Sequence, residues 1–88
     1  MHKKLKIGII GCGAIGMSLA RAIRRDFKGN AVLAALYDLD RSKIGFPAAK
    51  SRQDLIKKSE LVIESSSSEF SFEIAKEVLG KGKDIIIM

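Results

Sequence analysis

The sequence predicts an α/β fold: a doubly wound parallel sheet of about five strands in the order 3-2-1-4-5, with helices on both faces. Three observations predict it. Short apolar runs rich in β-branched residues alternate with segments whose apolar residues recur at helical spacing. Strands that alternate with helices need crossover connections, which make neighbouring strands parallel and the connections right-handed. The first run, Leu5 to Ile10, is apolar at consecutive positions, as suits a central strand covered on both faces.

Each element has its own signal. Leu5 to Ile10 is closed by Gly11. From Ala14 the period becomes helical, because Ile15, Leu19, Ile23 and Phe27 recur every four residues with Ala20 beside them. Arg21, Arg24, Arg25 and Lys28 take the other face and the last turns, where cations favour the helix dipole. Gly29-Asn30 is the expected stop. Ala31 to Tyr37 is a second strand ending at Asp38, and 39–45 is polar loop or a short turn. Phe46-Pro47-Ala48-Ala49 is expected as a brief third strand at an edge, where proline is tolerated.

Ser51 and Asp54 form a capping box that opens a short helix through Lys58. Leu61-Val62-Ile63 is a further buried strand. Ser66 and Glu69 predict a second box, ahead of a helix that carries Phe70, Ile74, Val78 and Leu79 inward and ends at Gly80 or Gly82. Asp84 to Met88 is the last strand. The four phenylalanines have helical or core spacing and are expected in the core. Ser65 to Ser68 lie between a strand and a helix, where small polar caps belong, so they are not a linker.

Composition bounds what such a chain can be. Domains run to about 100–200 residues, so 88 residues make one domain at most. With 47% hydrophobic and 30% charged residues and one proline, a disordered or collagen-like chain is excluded. A single cysteine, Cys12, excludes an internal disulfide framework and a cysteine cluster for zinc. The only histidine, His2, is near the terminus and offers no imidazole to a catalytic site. The net charge of +6 attracts phosphate-bearing partners, but the cations are dispersed and read as solvated faces. No aromatic-basic interleaving of an RNA-binding type occurs, so no nucleic-acid partner is expected.

Residues 1–22 imitate a secretory signal, with Lys3 and Lys4 ahead of an apolar stretch. Lys6 and the glycines at 8, 11, 13 and 16 break that stretch, which then runs on into a charged amphipathic helix. No run reaches the ~18 apolar residues of a membrane span. A cytoplasmic protein without membrane attachment is therefore expected. The chain stops inside its last apolar run, which leads us to expect that 1–88 is an incomplete cofactor domain at the front of a longer protein.

Gly11-Cys12-Gly13-Ala14-Ile15-Gly16 is a G-x-G-x-x-G motif between a predicted strand and a predicted helix, the context that gives the motif meaning. Gly11 permits a tight turn, Gly13 lets backbone approach a pyrophosphate, and Gly16 allows close packing of helix and strand. The amides that open the helix at Ala14, Ile15 and Gly16 face the anion, helped by the positive end of the dipole. Asp38 follows Gly16 by 22 residues, near the spacing of about 20 at which an acid accepts the ribose hydroxyls of a dinucleotide. That acid favours NAD; Arg41 leaves NADP open, since a nearby arginine accommodates a 2′-phosphate. The pattern is that of a Rossmann-type dinucleotide-binding domain. Ser66 and Ser67, after the strand that neighbours the first, either face the nicotinamide side or simply cap the next helix. Glu64 reads as a salt-bridged strand end rather than a polar group beside the cofactor. Nothing near Cys12 is placed to activate its thiol.

The sequence also resembles the L-aspartate dehydrogenase family. The resemblance is carried by Lys6 to Gly16, Leu36-Tyr-Asp-Leu-Asp40, Asp54-Leu, Leu61-Val-Ile-Glu-Ser-Ser-Ser67 and Ala75 to Met88, the end reading G-K-G-K-D-I-I-I-M. It covers essentially the whole chain. It implies a two-domain NAD(P)-dependent enzyme that oxidises L-aspartate to iminoaspartate, and so to oxaloacetate and ammonia. Its second domain would supply the small amino-acid substrate pocket and the homo-oligomer contacts. The positions carried over are Gly11, Gly13, Ala14 and Ile15 at the pyrophosphate, Asp38 at the ribose, and Ser66 and Ser67 near the nicotinamide ribose. The family's catalytic histidine has no counterpart here, so these residues alone are not expected to catalyse. Cofactor domains of homoserine, sugar or dihydrodipicolinate-type enzymes share much of this pattern, as does a nucleotide-sensing module without chemistry. A methyltransferase is disfavoured by glycine at position 16.

Overall fold

Residues 3–66 and 69–88 are described by a computed structural model of the chain. The elements are β1 (Leu5–Ile10), α1 (Ala14–Arg25), β2 (Ala31–Tyr37), a 3-10 turn (Arg41–Lys43), α2 (Arg52–Lys58), β3 (Leu61–Glu64), α3 (Ser71–Gly80) and β4 (Asp84–Ile87). All strand pairs are parallel, in the order β2-β1-β3-β4. The sheet thus has four strands, not five. The missing one is Phe46 to Ala49, reduced to a single bridge between Ala48 and Leu36 on the outer edge of β2. Pro47 has no N–H to donate, so pairing there is limited to Leu36 N–H on the Pro47 carbonyl and Ala49 N–H on the Leu36 carbonyl, each 2.8 Å.

From Leu5 on, the segment that imitates an export signal is β1 and most of α1. Among the described residues no helix is long and apolar enough to cross a membrane.

β1 is central, and its side chains divide between two cores. Ile7 and Ile9 join Ala20 and Ile23 of α1, with Leu33, Leu36 and Ile63, on one face. Ile10 joins Leu55 and Ile56 of α2, Ile74 and Val78 of α3, with Ala35 and Val62, on the other. An irregularity opposite Ile7/Gly8 pairs Ile7 with Leu33 and Gly8 with Ala35, so one extra residue of β2 shifts its alternation. That is why Leu33 and Leu36 share a face although three positions apart.

The helices close differently from expectation. α1 ends at Arg25, before Gly29, with Asp26 as C-cap and the Phe27 N–H reaching back to the Ala22 carbonyl. Gly29 does not adopt a left-handed conformation; among described glycines only Gly11 and Gly82 have positive φ. α2 keeps one leg of its box, with Ser51 Oγ accepting from Asp54 N–H at 3.0 Å, while the Asp54 carboxylate accepts from Lys50 N–H at 2.9 Å rather than from Ser51 N–H. α3 does not start from a Ser66–Glu69 box. Its N-cap is Phe70, which has no hydroxyl or carboxylate to offer, and Ser66 is engaged elsewhere. At its far end Gly82 (φ 73°) completes a Schellman closure, with Gly82 N–H on Leu79 and Lys83 N–H on Val78.

The phenylalanines are not core residues. Phe27, Phe46, Phe70 and Phe72 are all exposed, as is Leu79, while Ile74 and Val78 alone carry α3 onto the sheet. The buried residues of the two cores are aliphatic side chains, alanines and Cys12, and the one ring packed against them is that of Tyr37.

Candidate functional site

The carboxyl ends of β1, β2 and β3 converge on one cleft of about 620 Å³. Its walls include Gly11, Gly13, Asp38, Leu39, Lys43, Ser65, Ser66 and Phe70. In open parallel sheets this position, where the strand order reverses, is where ligands bind.

The glycine loop is built with a distinct role at each glycine. Gly11 has φ +98°, and a side chain there would lie 2.6 Å from the Ser66 backbone nitrogen. Gly16 is buried; a Cβ on it would stand 1.9 Å from the Gly11 carbonyl oxygen, so glycine alone lets α1 rest on the loop. Gly13 differs from both. Its φ is −77°, which any residue adopts, and a Cβ there would meet nothing within 4 Å. It faces the cleft as the N-cap of α1 and brings no side-chain acceptor, and the first turn carries no acid. The amides at Ala14, Ile15 and Gly16 therefore open the helix with no side chain capping them among the described residues; Gly13 lines the cleft, and these three do not. Ala14 and Ile15 are exposed beside Gly13, Ile15 with 56% of its surface free.

Asp38 is brought to the loop. One carboxylate oxygen accepts from Cys12 N–H at 2.7 Å, and the other from Asp40 N–H at 2.8 Å. The residue is half-buried and lines the cleft. Cys12 is buried, and its Sγ lies 3.6 Å from the Tyr37 carbonyl oxygen. Burial pushes the thiol above its ordinary range, and the Asp38 carboxylate adds to the effect, so Cys12 is a packed thiol and not a nucleophile. Asp40 turns its carboxylate onto Ser42, accepting from N–H at 3.1 Å and Oγ at 2.6 Å, and those bonds lower its pKa.

Arg41 is exposed on the 3-10 turn and is not among the cleft-lining residues; Lys43, two residues on, is. Position within a short turn decided that, and no sequence signal distinguished the two cations. Ser66 is present in the wall, whereas Ser67 lies outside the described residues. Ser65 was not singled out, yet its hydroxyl donates to the Gly11 carbonyl at 2.9 Å and ties the turn after β3 to the glycine loop. Arg52 also reaches the cleft, oriented by Glu77 through Nε at 2.7 Å.

Glu64 is not a salt-bridged strand end. It is fully buried, and among the described residues it pairs with no cation. Oε1 accepts from Ser66 N–H at 2.8 Å and from the Ser66 hydroxyl; Oε2 accepts from the Ser71 hydroxyl. Three donors and the nearby start of α3 replace the missing cation.

Comparison with known proteins bears on the family and the fold. Among named relatives, the L-aspartate dehydrogenase of Methanocaldococcus jannaschii is 38% identical over 92 residues, spanning 96% of this chain and 34% of the relative. That of Methanosarcina barkeri is 37% identical with the same coverage. The chain thus spans about a third of the length of the curated relatives it matches. In fold it resembles the WlbA dehydrogenase from Bordetella pertussis, solved in complex with NADH and UDP-GlcNAcA (TM-score 0.82, 20% identity, 97% of this chain and 28% of that one). It equally resembles the UDP-N-acetylglucosamine 3-dehydrogenase GnnA from Acidithiobacillus ferrooxidans (TM-score 0.82, 18% identity, 97% and 29%). A family profile described as the NAD binding domain of homoserine dehydrogenase matches residues 11–88. The parallel sheet, the glycine loop at its switch point and that match agree: the chain belongs to this family of NAD-binding dehydrogenase domains.

Proposed function

We propose that the cleft holds the dinucleotide with its pyrophosphate over Gly13 and the opening amides of α1, at Ala14, Ile15 and Gly16. Asp38 takes the ribose hydroxyls of the adenosine, and Ser66 lies on the nicotinamide side. NAD is preferred over NADP, because the Asp38 carboxylate repels a 2′-phosphate. The carrying observation is Gly13. Gly11 and Gly16 are required by the fold itself, through a positive φ or a backbone contact. Gly13 is required by neither, and unlike Gly29 and Gly80, which are equally unconstrained, it lines the cleft, where a bare backbone suits a bound pyrophosphate.

Within a longer enzyme these residues would form the cofactor part of an NAD(P)-dependent oxidoreductase, with L-aspartate the substrate best supported. The bound nicotinamide would supply hydride transfer. The chain's own residues orient the dinucleotide, and a further domain would bring the amino acid and the oligomer contacts. The support is identity of 38% along nearly the whole chain to the M. jannaschii relative. A homoserine-type reaction is the second reading, favoured by the family profile. A chimera in which this chain replaces the matching third of the M. jannaschii enzyme tests the assignment. L-aspartate-dependent NADH formation is expected, with little from L-homoserine; the reverse order would move the assignment to the homoserine type. A folded chimera that binds NADH but oxidises neither would leave the domain as a nucleotide-binding module.

A further inference from the structure

Glu64 has no part in the cofactor contacts proposed above, yet it is the only acidic side chain among the described residues that is fully buried. It closes β3, one residue before the turn that lines the cleft. That turn is held from two directions. Ser65 is fixed through its hydroxyl to the Gly11 carbonyl at 2.9 Å. Ser66 is fixed through both its backbone N–H and its hydroxyl to Glu64 Oε1. Oε2 takes the Ser71 hydroxyl, so the same carboxylate ties the turn to the first residue of α3.

We infer that Glu64 is a positioning residue that sets the hydrogen-bonding character of Ser66, making it an acceptor toward the cleft. A carboxylate only accepts, so the Ser66 hydroxyl commits its single proton to Oε1. What Ser66 then presents is lone pairs. A lone pair takes a donor, such as a ribose hydroxyl or an amide N–H, and turns away a phosphate. The two sides of the cleft thereby differ in chemistry. On one side Gly13, the N-cap of α1, lines the cleft just ahead of helix-opening N–H groups that no described side chain caps, and the β3 side offers an acceptor to a neutral donor. This polarity gives the dinucleotide one direction of entry: pyrophosphate on α1, nicotinamide ribose or carboxamide against Ser66. The inference rests on the dinucleotide assignment made above.

The test is a mutant cycle on this chain, using Glu64→Met, Ser66→Ala and the double variant. Titration calorimetry is run with NADH and separately with AMP, which carries only the adenosine half. Glu64→Met removes both acceptor oxygens and so frees the Ser66 proton. We expect each single variant to weaken NADH by about tenfold, the cost of a hydrogen bond of about 1.4 kcal/mol. The double variant should be no worse than the weaker single one, and AMP affinity should be unchanged throughout. Ser66→Thr, which keeps the hydroxyl, should restore NADH affinity. A merely structural role for Glu64 would instead weaken AMP and NADH together, and that result overturns the inference. So would independent, multiplying losses in the double variant, or NADH affinity within twofold of wild type in Ser66→Ala. If Glu64→Met does not fold, Glu64→Asp takes its place: it draws the carboxylate back from Ser66, so weaker NADH with unchanged AMP is expected, and loss of both overturns the inference. If the folded wild type binds neither NADH nor AMP, the dinucleotide assignment fails and this inference falls with it. Wild-type binding without any response at Ser66 sinks the inference alone.

Discussion

Replacing Gly16 and Gly13 separately by alanine should split stability from binding. At Gly16 the new Cβ starts 1.9 Å from the Gly11 carbonyl oxygen. An ordinary carbon–oxygen contact is about 3.3 Å, so α1 or the loop must move by roughly 1.4 Å. The loop cannot yield freely: Gly11 N–H is bonded to the Tyr37 carbonyl at 2.8 Å, and its carbonyl receives the Ser65 hydroxyl at 2.9 Å. Overpacking of this kind costs about 3 kcal/mol, offset by about 1 kcal/mol from the better helix former, for a net loss of about 2 kcal/mol. For a domain of this size that lowers Tm by about 10 °C. At Gly13 the new methyl meets nothing, and its φ of −77° suits alanine. There stability should change by no more than about 0.5 kcal/mol, because the freedom lost by the unfolded chain offsets the poorer N-cap that alanine makes. NADH affinity should nevertheless fall at least tenfold or so, since the methyl enters the space a pyrophosphate would occupy and separates it from the backbone donors. Thermal unfolding by circular dichroism and NADH calorimetry on the same samples make the comparison. A Gly16→Ala chain with unchanged Tm, or a Gly13→Ala chain that binds NADH like wild type, would refute the division of roles.

Other expectations follow from the same contacts. Gly8→Ala drives a Cβ to 2.1 Å from Ser59 Oγ and 2.8 Å from Leu55, so it should destabilise; Ser59→Ala in the same chain should recover part of the loss in urea titrations. Ser51→Ala removes the acceptor for Asp54 N–H and should cost about 1 kcal/mol by the same assay. Cys12 should alkylate more slowly with iodoacetamide than a free cysteine at mildly alkaline pH, and faster after Asp38→Asn, which removes the carboxylate that raises its pKa. Because the folded thiol titrates above the unfolded one, Cys12 leaves stability untouched at neutral pH. It lowers stability as pH rises from the ordinary thiol range through the raised value. Cys12→Ala should remove that alkaline decline.

Much of this organisation was legible because local and global signals agree. β1 and α1 were readable from the change of period at the glycine loop, and Ser51 from its box with Asp54. The order of the four observed strands is the expected order with its weakest member removed, and Pro47 supplies the reason. What sequence could not convey was depth. The periodicity that marks a helix face does not say how wide the buried stripe is, so Phe27 and Leu79 read as core and stand in solvent. Glu64 was misread for the complementary reason. Its partners Ser66 and Ser71 lie within seven residues, but nothing in a run of serines says that two hydroxyls will converge on one buried carboxylate. At the site, Gly11 and Asp38 were legible through spacing. The choice between Arg41 and Lys43 as the cleft-facing cation depended on a three-residue 3-10 turn.

The most direct test of the central claim is an amide chemical-shift titration of the ¹⁵N-labelled chain with NADH. The account predicts the largest shifts at Gly13, Ala14, Ile15 and Gly16, with further shifts at Cys12, Asp38 and Ser66, and little change at Gln53, Lys57 or Lys81 on the groove between α2 and α3. Shifts confined to that groove, or none at all in a folded chain at millimolar NADH, would contradict it.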